Sequence, residues 1–192
     1  MPAYAPHDPL HWILLATAAA VFILFGLALQ HFFVQARHPS RQLLLSQQLA
    51  VVVALTQVLG LAVIHPPSGA HAGVGIAIYT VALSLFLSSI EACRRLPLPR
   101  AFVSDPLPAG LVTTGPFAWI RHPFYAAYWL GLLAAPVATA SPVLAIPTVI
   151  YTVVFVVAAR REEALLLASA MGDQYRGYAA RTGMFLPGIG RH

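Results

Sequence analysis

Four residues with chemistry to offer stand at two points of this chain. Arg121 and His122 open one long apolar stretch, and Glu162 and Glu163 follow the end of the next. His122 and Glu163 are 41 positions apart. A helix rises 1.5 Å per residue, so two antiparallel helices of about 30 Å cross a hydrocarbon core and return to the same depth over that interval. The arginine–histidine pair and the glutamate pair are therefore expected side by side at one edge of a membrane. Ionisable groups at such depth are costly unless they pair or face a cavity, which makes them a candidate site for binding a charged ligand and for moving a proton. Each residue also has a plainer use. Arg121 could snorkel, Arg160 and Arg161 could be topology signals, and the glutamates could simply open a solvated tail helix. The combination favours a site.

The elements that must position these groups are apolar and long. The 192 residues are 59% hydrophobic and 9% charged, against about 45–50% apolar and about 25% charged in soluble domains. That balance excludes an ordinary soluble fold and a disordered chain. Five segments without acidic or basic side chains are long enough to span: Trp12–Val34, Leu43–Ile64, Gly73–Ile90, Pro123–Ala140 and Val143–Ala159. Ser141 and Pro142 join the last two as a tight hairpin. All eleven basic residues are arginine. Arg37 and Arg41 follow the first segment; Arg94, Arg95, Arg100 and Arg121 lie between the third and fourth; Arg160, Arg161, Arg176, Arg181 and Arg191 follow the fifth. Every arginine thus falls on one side, which places the N-terminus outside and the C-terminus in the cytoplasm. The +5 charge is topology and does not indicate a nucleic-acid partner. The expected class is an all-α integral membrane protein, one membrane domain over residues 1–192, with five transmembrane helices and a cytoplasmic C-terminal amphipathic helix.

That tail helix is expected from Ala164 onward, with Leu166, Tyr175 and Tyr178 on its apolar face and a stop at Gly183 and Pro187. Periodicity fits two placements equally, flat on the membrane or folded over the hairpin as a lid. Thr80, Ser84, Ser88 and Glu91 form a helical stripe, suited to close packing or to a polar wall ending in Glu91. Gln57 is expected to bond between helices. The lone Cys93 excludes an internal disulfide. P-loop, HExxH, CxxC and GxSxG motifs are absent, no metal site is expected, and Gly73-Val74-Gly75 is an isolated GxG on the outer side.

The run from Leu111 to Tyr125, LVTTGPFAWIRHPFY, followed by the glutamate pair, resembles the isoprenylcysteine carboxyl methyltransferase family, within the wider group of integral-membrane phospholipid methyltransferases. Thr113 or Thr114, Gly115, Pro116, Phe117, Ile120, Arg121, His122, Pro123 and Tyr125 fit its pattern, and Gly172, Tyr175, Tyr178 and Pro187 continue it. The resemblance covers about residues 110–190, a methyltransferase-like cofactor-binding region made of the last hairpin and the tail; the first three segments fit by topology. Met171 replaces the usual Phe, and the stretch from the glutamates to Gly172 is one residue longer than usual. Counted back from Gly172, Glu163 aligns with the first family glutamate and Ala164 with the second, so the resemblance favours Glu163, then Glu162.

The resemblance implies an S-adenosylmethionine-dependent methyltransferase. Its cofactor would be held by Gly115, Pro116, Arg121, His122, Pro123, Tyr125, Glu162, Glu163, Tyr175 and Tyr178, and Arg121, Glu163 and Glu162 would be catalytic. Arg121 would orient a cofactor or acceptor carboxylate, and Tyr125 or Tyr128 would shelter the sulfonium. The acceptor is expected to be lipophilic and to come from the bilayer: an isoprenylcysteine-like carboxylate, an aminophospholipid or a small hydrophobic thiol. An acceptor that must lose a proton makes Glu163 or His122 a base candidate. The expected location is multi-pass in a membrane, the inner membrane if the host is bacterial. Oligomeric state is open. The alternatives are an NADPH-dependent sterol-type reductase and a non-enzymatic scaffold or transporter subunit.

Overall fold

The computed structural model describes residues 8–31, 41–94 and 110–190; Arg37, Arg95, Arg100, Asp105, Arg191 and the expected end of the first segment at Val34 lie outside them. The described chain is helical: α1 (Pro9–His31), α2 (Arg41–Val63), α3 (Gly69–Cys93), a single 3-10 turn (Gly115–Ala118), α4 (Pro123–Thr139), α5 (Pro142–Leu167) and α6 (Gly172–Ala179). Among the described residues, three helices are long and apolar enough to cross a membrane, over Pro9–Leu29, Gly69–Cys93 and Pro142–Leu167. The apolar stretch Gln48–Val63 of α2 and the 17-residue α4 are shorter.

Helix α4 is the axis of the bundle, packed against α1, α2, α3 and α5. Its sequence explains this position. Ala126, Ala127, Gly131, Ala134, Ala135 and Ala138 are buried, and small side chains let helix backbones approach closely where lipid removes the hydrophobic drive between helices. The α3–α4 crossing is tightest at Gly75, where a Cβ would stand 2.6 Å from Ala138 Cβ and 3.0 Å from Leu14 Cδ1. Gly75→Val should cost about 1–3 kcal/mol through overpacking, read as a lowered unfolding midpoint in mild detergent.

Proline in α4 accounts for the buried polar residues around it. Pro136 has no N–H to give the carbonyl of Leu132 one turn back. That carbonyl instead accepts from Thr148 Oγ1 at 2.8 Å and Gln57 Nε2 at 3.2 Å. Gln57 also donates to Leu144 O at 3.2 Å, so it ties α2 to both arms of the hairpin, the interhelical role expected of it. An unsatisfied carbonyl in an apolar bundle costs several kcal/mol, which is what these donors relieve. The turn between the arms is as tight as expected: Ala140 adopts φ 52° and Ser141 caps α5, its hydroxyl accepting from Leu144 N.

Two expectations about the tail are corrected. The fifth apolar segment was expected to end at Ala159, with a separate helix after the glutamates; α5 instead runs unbroken through Glu162 and Glu163 to Leu167. Residues 160–167, RREEALLL, are strong helix formers with no Gly, Pro or cap to stop them. The stop comes at Ser169, whose hydroxyl donates to Leu166 O and accepts from Met171 N, the local bonding by which serine competes with a helix. The long amphipathic helix expected to Pro187 is therefore a short α6 of 8 residues. Its expected apolar face is present, with Tyr175, Tyr178 and Ala179 buried against Leu111 and Leu166. Residues 182–190, here called the strap, then fold back over the start of α4, where Ile120 and Gly183 form a parallel bridge.

Candidate active site

The hairpin brings the two charged pairs together. Pro123 occupies the first turn of α4, where its missing N–H costs nothing, and His122 precedes it as N-cap. Arg121 and His122 thus sit at the mouth of α4, facing the last turns of α5. Arg121 Nε donates to Glu163 Oε1 at 2.7 Å, and the side chains are 1% and 10% exposed. His122 Nε2 lies 3.1 Å from the same oxygen, and its Nδ1 is 3.6 Å from Glu162 Oε2. The Tyr125 hydroxyl donates to Glu162 Oε1. Glu162 differs from its neighbour in being 36% exposed.

Arg121 is committed to the protein itself. Besides Glu163, it donates to the carbonyls of Thr182, Ala179 (3.2 Å) and Gly190 (2.8 Å). Backbone bonds continue this hold: Arg121 N donates to Gly183 O at 2.8 Å, His122 N to Met184 O at 3.1 Å and Gly183 N to Trp119 O at 3.0 Å. Gly183 has no room for a side chain, since a Cβ would collide with the carbonyls of Leu186 and Ile189. The arginine expected to orient a ligand carboxylate here pins the strap and balances Glu163.

Tyr175 and Tyr178 support the cluster from α6. Tyr178 donates to Phe117 O at 2.7 Å, fixing the 3-10 turn, and burial pushes its phenol up to about 12. Burial, with the Glu163 carboxylate adding to it, raises the Tyr175 phenol well above its ordinary value. Both remain protonated at neutral pH. The turn begins at Gly115, in the left-handed region at φ 58°, which suits glycine.

Beside the cluster, a groove of about 720 Å³ runs along α4 between α3 and α5. Tyr125, Ala126, Trp129 and Leu130 form its floor; Leu85 and Ser88 of α3 and Thr152, Phe155 and Val156 of α5 form its walls. Gly115, Pro116, Trp119 and Ile120 and the strap residues Phe185, Leu186 and Pro187 also line it, and Tyr125, which donates to Glu162, connects it to the cluster. A row of rings sets the angle of Tyr125: it stacks on His122 (centroids 5.7 Å) and on Phe155 (5.3 Å). Tyr128, the other aromatic candidate, packs inside the bundle among Phe25, Phe86 and Phe155.

Of the sequence candidates, the structure unites Arg121, His122, Tyr125, Glu162 and Glu163, puts Gly115 and Pro116 in the groove, and buries Pro123 in the α4 start. Glu91 stands apart in an exposed pair with Arg94, and only Ser88 of its stripe reaches the groove. Sequence reasoning missed Trp119, Trp129, Thr152, Phe155 and Phe185 as lining residues. A family model described as phospholipid methyltransferase matches residues 70–173, just over half the chain. The chain belongs to the phospholipid methyltransferase family. The match carries the relationship back through α3, beyond the motifs that suggested it, and makes this a membrane protein of a methyltransferase family. A search of individual curated proteins finds no match. In this member of the phospholipid methyltransferase family, the strap lies wholly beyond the matched region.

Proposed function

We propose that the protein is an S-adenosylmethionine-dependent methyltransferase that crosses the membrane five times, N-terminus outside, and works at the cytoplasmic edge on a lipophilic acceptor. The observation that carries this reading is the carboxylate cluster at the mouth of the α4–α5 hairpin, joined through Tyr125 to an apolar groove. The donor set fits the cationic part of the cofactor. Two glutamates outnumber one arginine, and Glu162 keeps a partly exposed carboxylate, bonded to Tyr125, beside the His122 ring. The cofactor's carboxylate would need donors other than Arg121, whose bonds go to Glu163 and the strap.

When bound, S-adenosylmethionine supplies an electrophilic methyl group on sulfur. The chain's own contribution is placement and exclusion of water. Glu162 would hold the cofactor's ammonium by a charge-assisted bond, with Tyr125 orienting Glu162. Arg121 with Glu163, and Tyr178 through Phe117, hold the strap and the 3-10 turn over the groove. Methyl transfer needs nucleophile and methyl carbon held in near-attack geometry, and a rigid, dry groove supplies that. Calorimetry on the protein in detergent should give binding of S-adenosylmethionine and S-adenosylhomocysteine and no binding of NADPH. Binding of NADPH alone, or of none of the three, would remove this reading.

A further inference from the structure

The end of the protein that carries the charged cluster also presents two outward features. The first is a pair of arginines that finish two rows of α5. Val149, Val153 and Val157 are exposed at four-residue spacing, one row of a helix long and apolar enough to cross a membrane, and Arg161 is the next position on that row. Thr152 and Val156 line the groove, and Arg160 is the next position on theirs. Both arginines are exposed. The carboxylates that follow them in sequence are engaged elsewhere: Glu162 accepts from Tyr125, Glu163 from Arg121, and Asp173 pairs with Arg176. The second feature is apolar. Trp119, just after the 3-10 turn, is 66% exposed, and Leu186 and Ile189 of the strap are 51% and 64% exposed. Ile189 N donates to Leu186 O at 3.2 Å, and Trp119 and Leu186 both line the groove, so the three belong to one patch.

The two features lie at one depth. Backbone bonds from Gly183 and Met184 hold the strap to Trp119, Arg121 and His122, at the start of α4. The Arg121–Glu163 bond sets that start level with the turn of α5 that follows Arg160 and Arg161. Arginines and a bare apolar patch where an apolar helix leaves the bilayer fit one partner, the headgroup layer of an anionic leaflet. Tryptophan is favoured at that level because its ring is apolar and its N–H polar, and arginines just outside a span are drawn to anionic lipid. We propose that this end of the protein is a binding surface for anionic phospholipid: Arg160 and Arg161 hold headgroup phosphates, and Trp119, Leu186 and Ile189 seat the strap among the upper acyl carbons. The strap then has two holds, Arg121 from within and the leaflet from without. The inference rests on the membrane placement in the reading above and does not depend on methyl transfer.

Trp119 itself supplies the readout. With Trp12→Phe and Trp129→Phe it is the remaining tryptophan of the chain. That protein is placed in phosphatidylcholine nanodiscs carrying a graded fraction of brominated phosphatidylglycerol or of brominated phosphatidylcholine, each a quencher of indole fluorescence. The expected result is quenching by both lipids, with an apparent association constant about fivefold higher for phosphatidylglycerol, the worth of one arginine near an anionic surface. Arg160→Gln with Arg161→Gln should bring the ratio close to one, and Arg160→Lys with Arg161→Lys should keep it, because charge is what is read. A ratio below about twofold, a preference that survives the double glutamine change, or a Trp119 quenched by aqueous acrylamide and by neither lipid overturns the proposal. The unmodified chain gives a check that needs no tryptophan change: released from micelles of equal phosphatidylglycerol and phosphatidylcholine, it should retain more of the first in native mass spectrometry, and equal retention overturns the proposal too. Failure to bind S-adenosylmethionine in the calorimetric experiment would remove the methyltransferase reading and leave this surface standing; loss of the lipid preference would do the reverse.

Discussion

Arg121→Ala should destabilise the folded protein by about 3–5 kcal/mol, the cost of leaving one member of a buried ion pair without its partner. Glu163, 10% exposed beside the nearly inaccessible guanidinium, would keep only the His122 ring as a hydrogen-bonding side chain. The carbonyls of Ala179, Thr182 and Gly190 would lose their donor at the same time. Denaturant unfolding in mild detergent, followed by circular dichroism, reads the loss. Glu163→Gln should lie close to it, because the arginine is then the stranded charge. Removing both charges together, as Arg121→Met with Glu163→Leu, should recover a large part of the stability, since well-packed apolar pairs commonly replace buried ion pairs without loss. A single Arg121→Ala change that shifts the midpoint by less than 1 kcal/mol would show that the pair is not the structural clamp described here.

Glu162→Gln should behave in the opposite way. Its side chain is 36% exposed and lacks an arginine partner among the described residues, and a glutamine oxygen can still accept from Tyr125, so stability should stay within about 1 kcal/mol of the parent. Affinity for S-adenosylmethionine should fall by about 1.5–3 kcal/mol, roughly 10- to 150-fold, the range of a hydrogen bond to a charged group. Calorimetric titration of the two glutamine variants side by side measures the contrast. Unchanged cofactor affinity in Glu162→Gln would take that residue out of the binding site.

The two adjacent glutamates differ in burial, which counting back from Gly172 could not show. What the sequence did carry follows from constraints with few solutions. Helix rise and bilayer thickness fix where a hairpin returns, so the meeting of Arg121 and His122 with Glu162 and Glu163 was legible from spacing alone. The Ser141–Pro142 turn and the aromatic face of α6 were legible through capping chemistry and helical periodicity. The strap was not. Its grip on Arg121 comes from the carbonyls of residues 179, 182 and 190, groups that every residue owns and that leave no mark in composition. The groove was equally silent, because Trp129 meets Thr152 across two helices and neither residue advertises that neighbour. The end of α5 was misread because a change from apolar to charged residues was taken as a helix boundary, whereas RREEALLL continues the same helix out of the apolar region.

The strap also bears on how the protein matures. Its contacts with Arg121 span 61 and 69 positions, and that of Ala179, at the end of α6 just before it, spans 58. Glu163 follows Arg121 by 42 positions, so a ribosome adding about 5–20 residues per second needs only about one to five seconds more to reach these carbonyls. During that shorter interval the nascent hairpin holds the Arg121–Glu163 pair without its later carbonyl acceptors, and the groove lacks its Phe185–Pro187 lining. Completion of the site is therefore a late docking event, after insertion of the hairpin, and the half-built state is a defined window in which quality-control proteases could distinguish unfinished chains from finished ones.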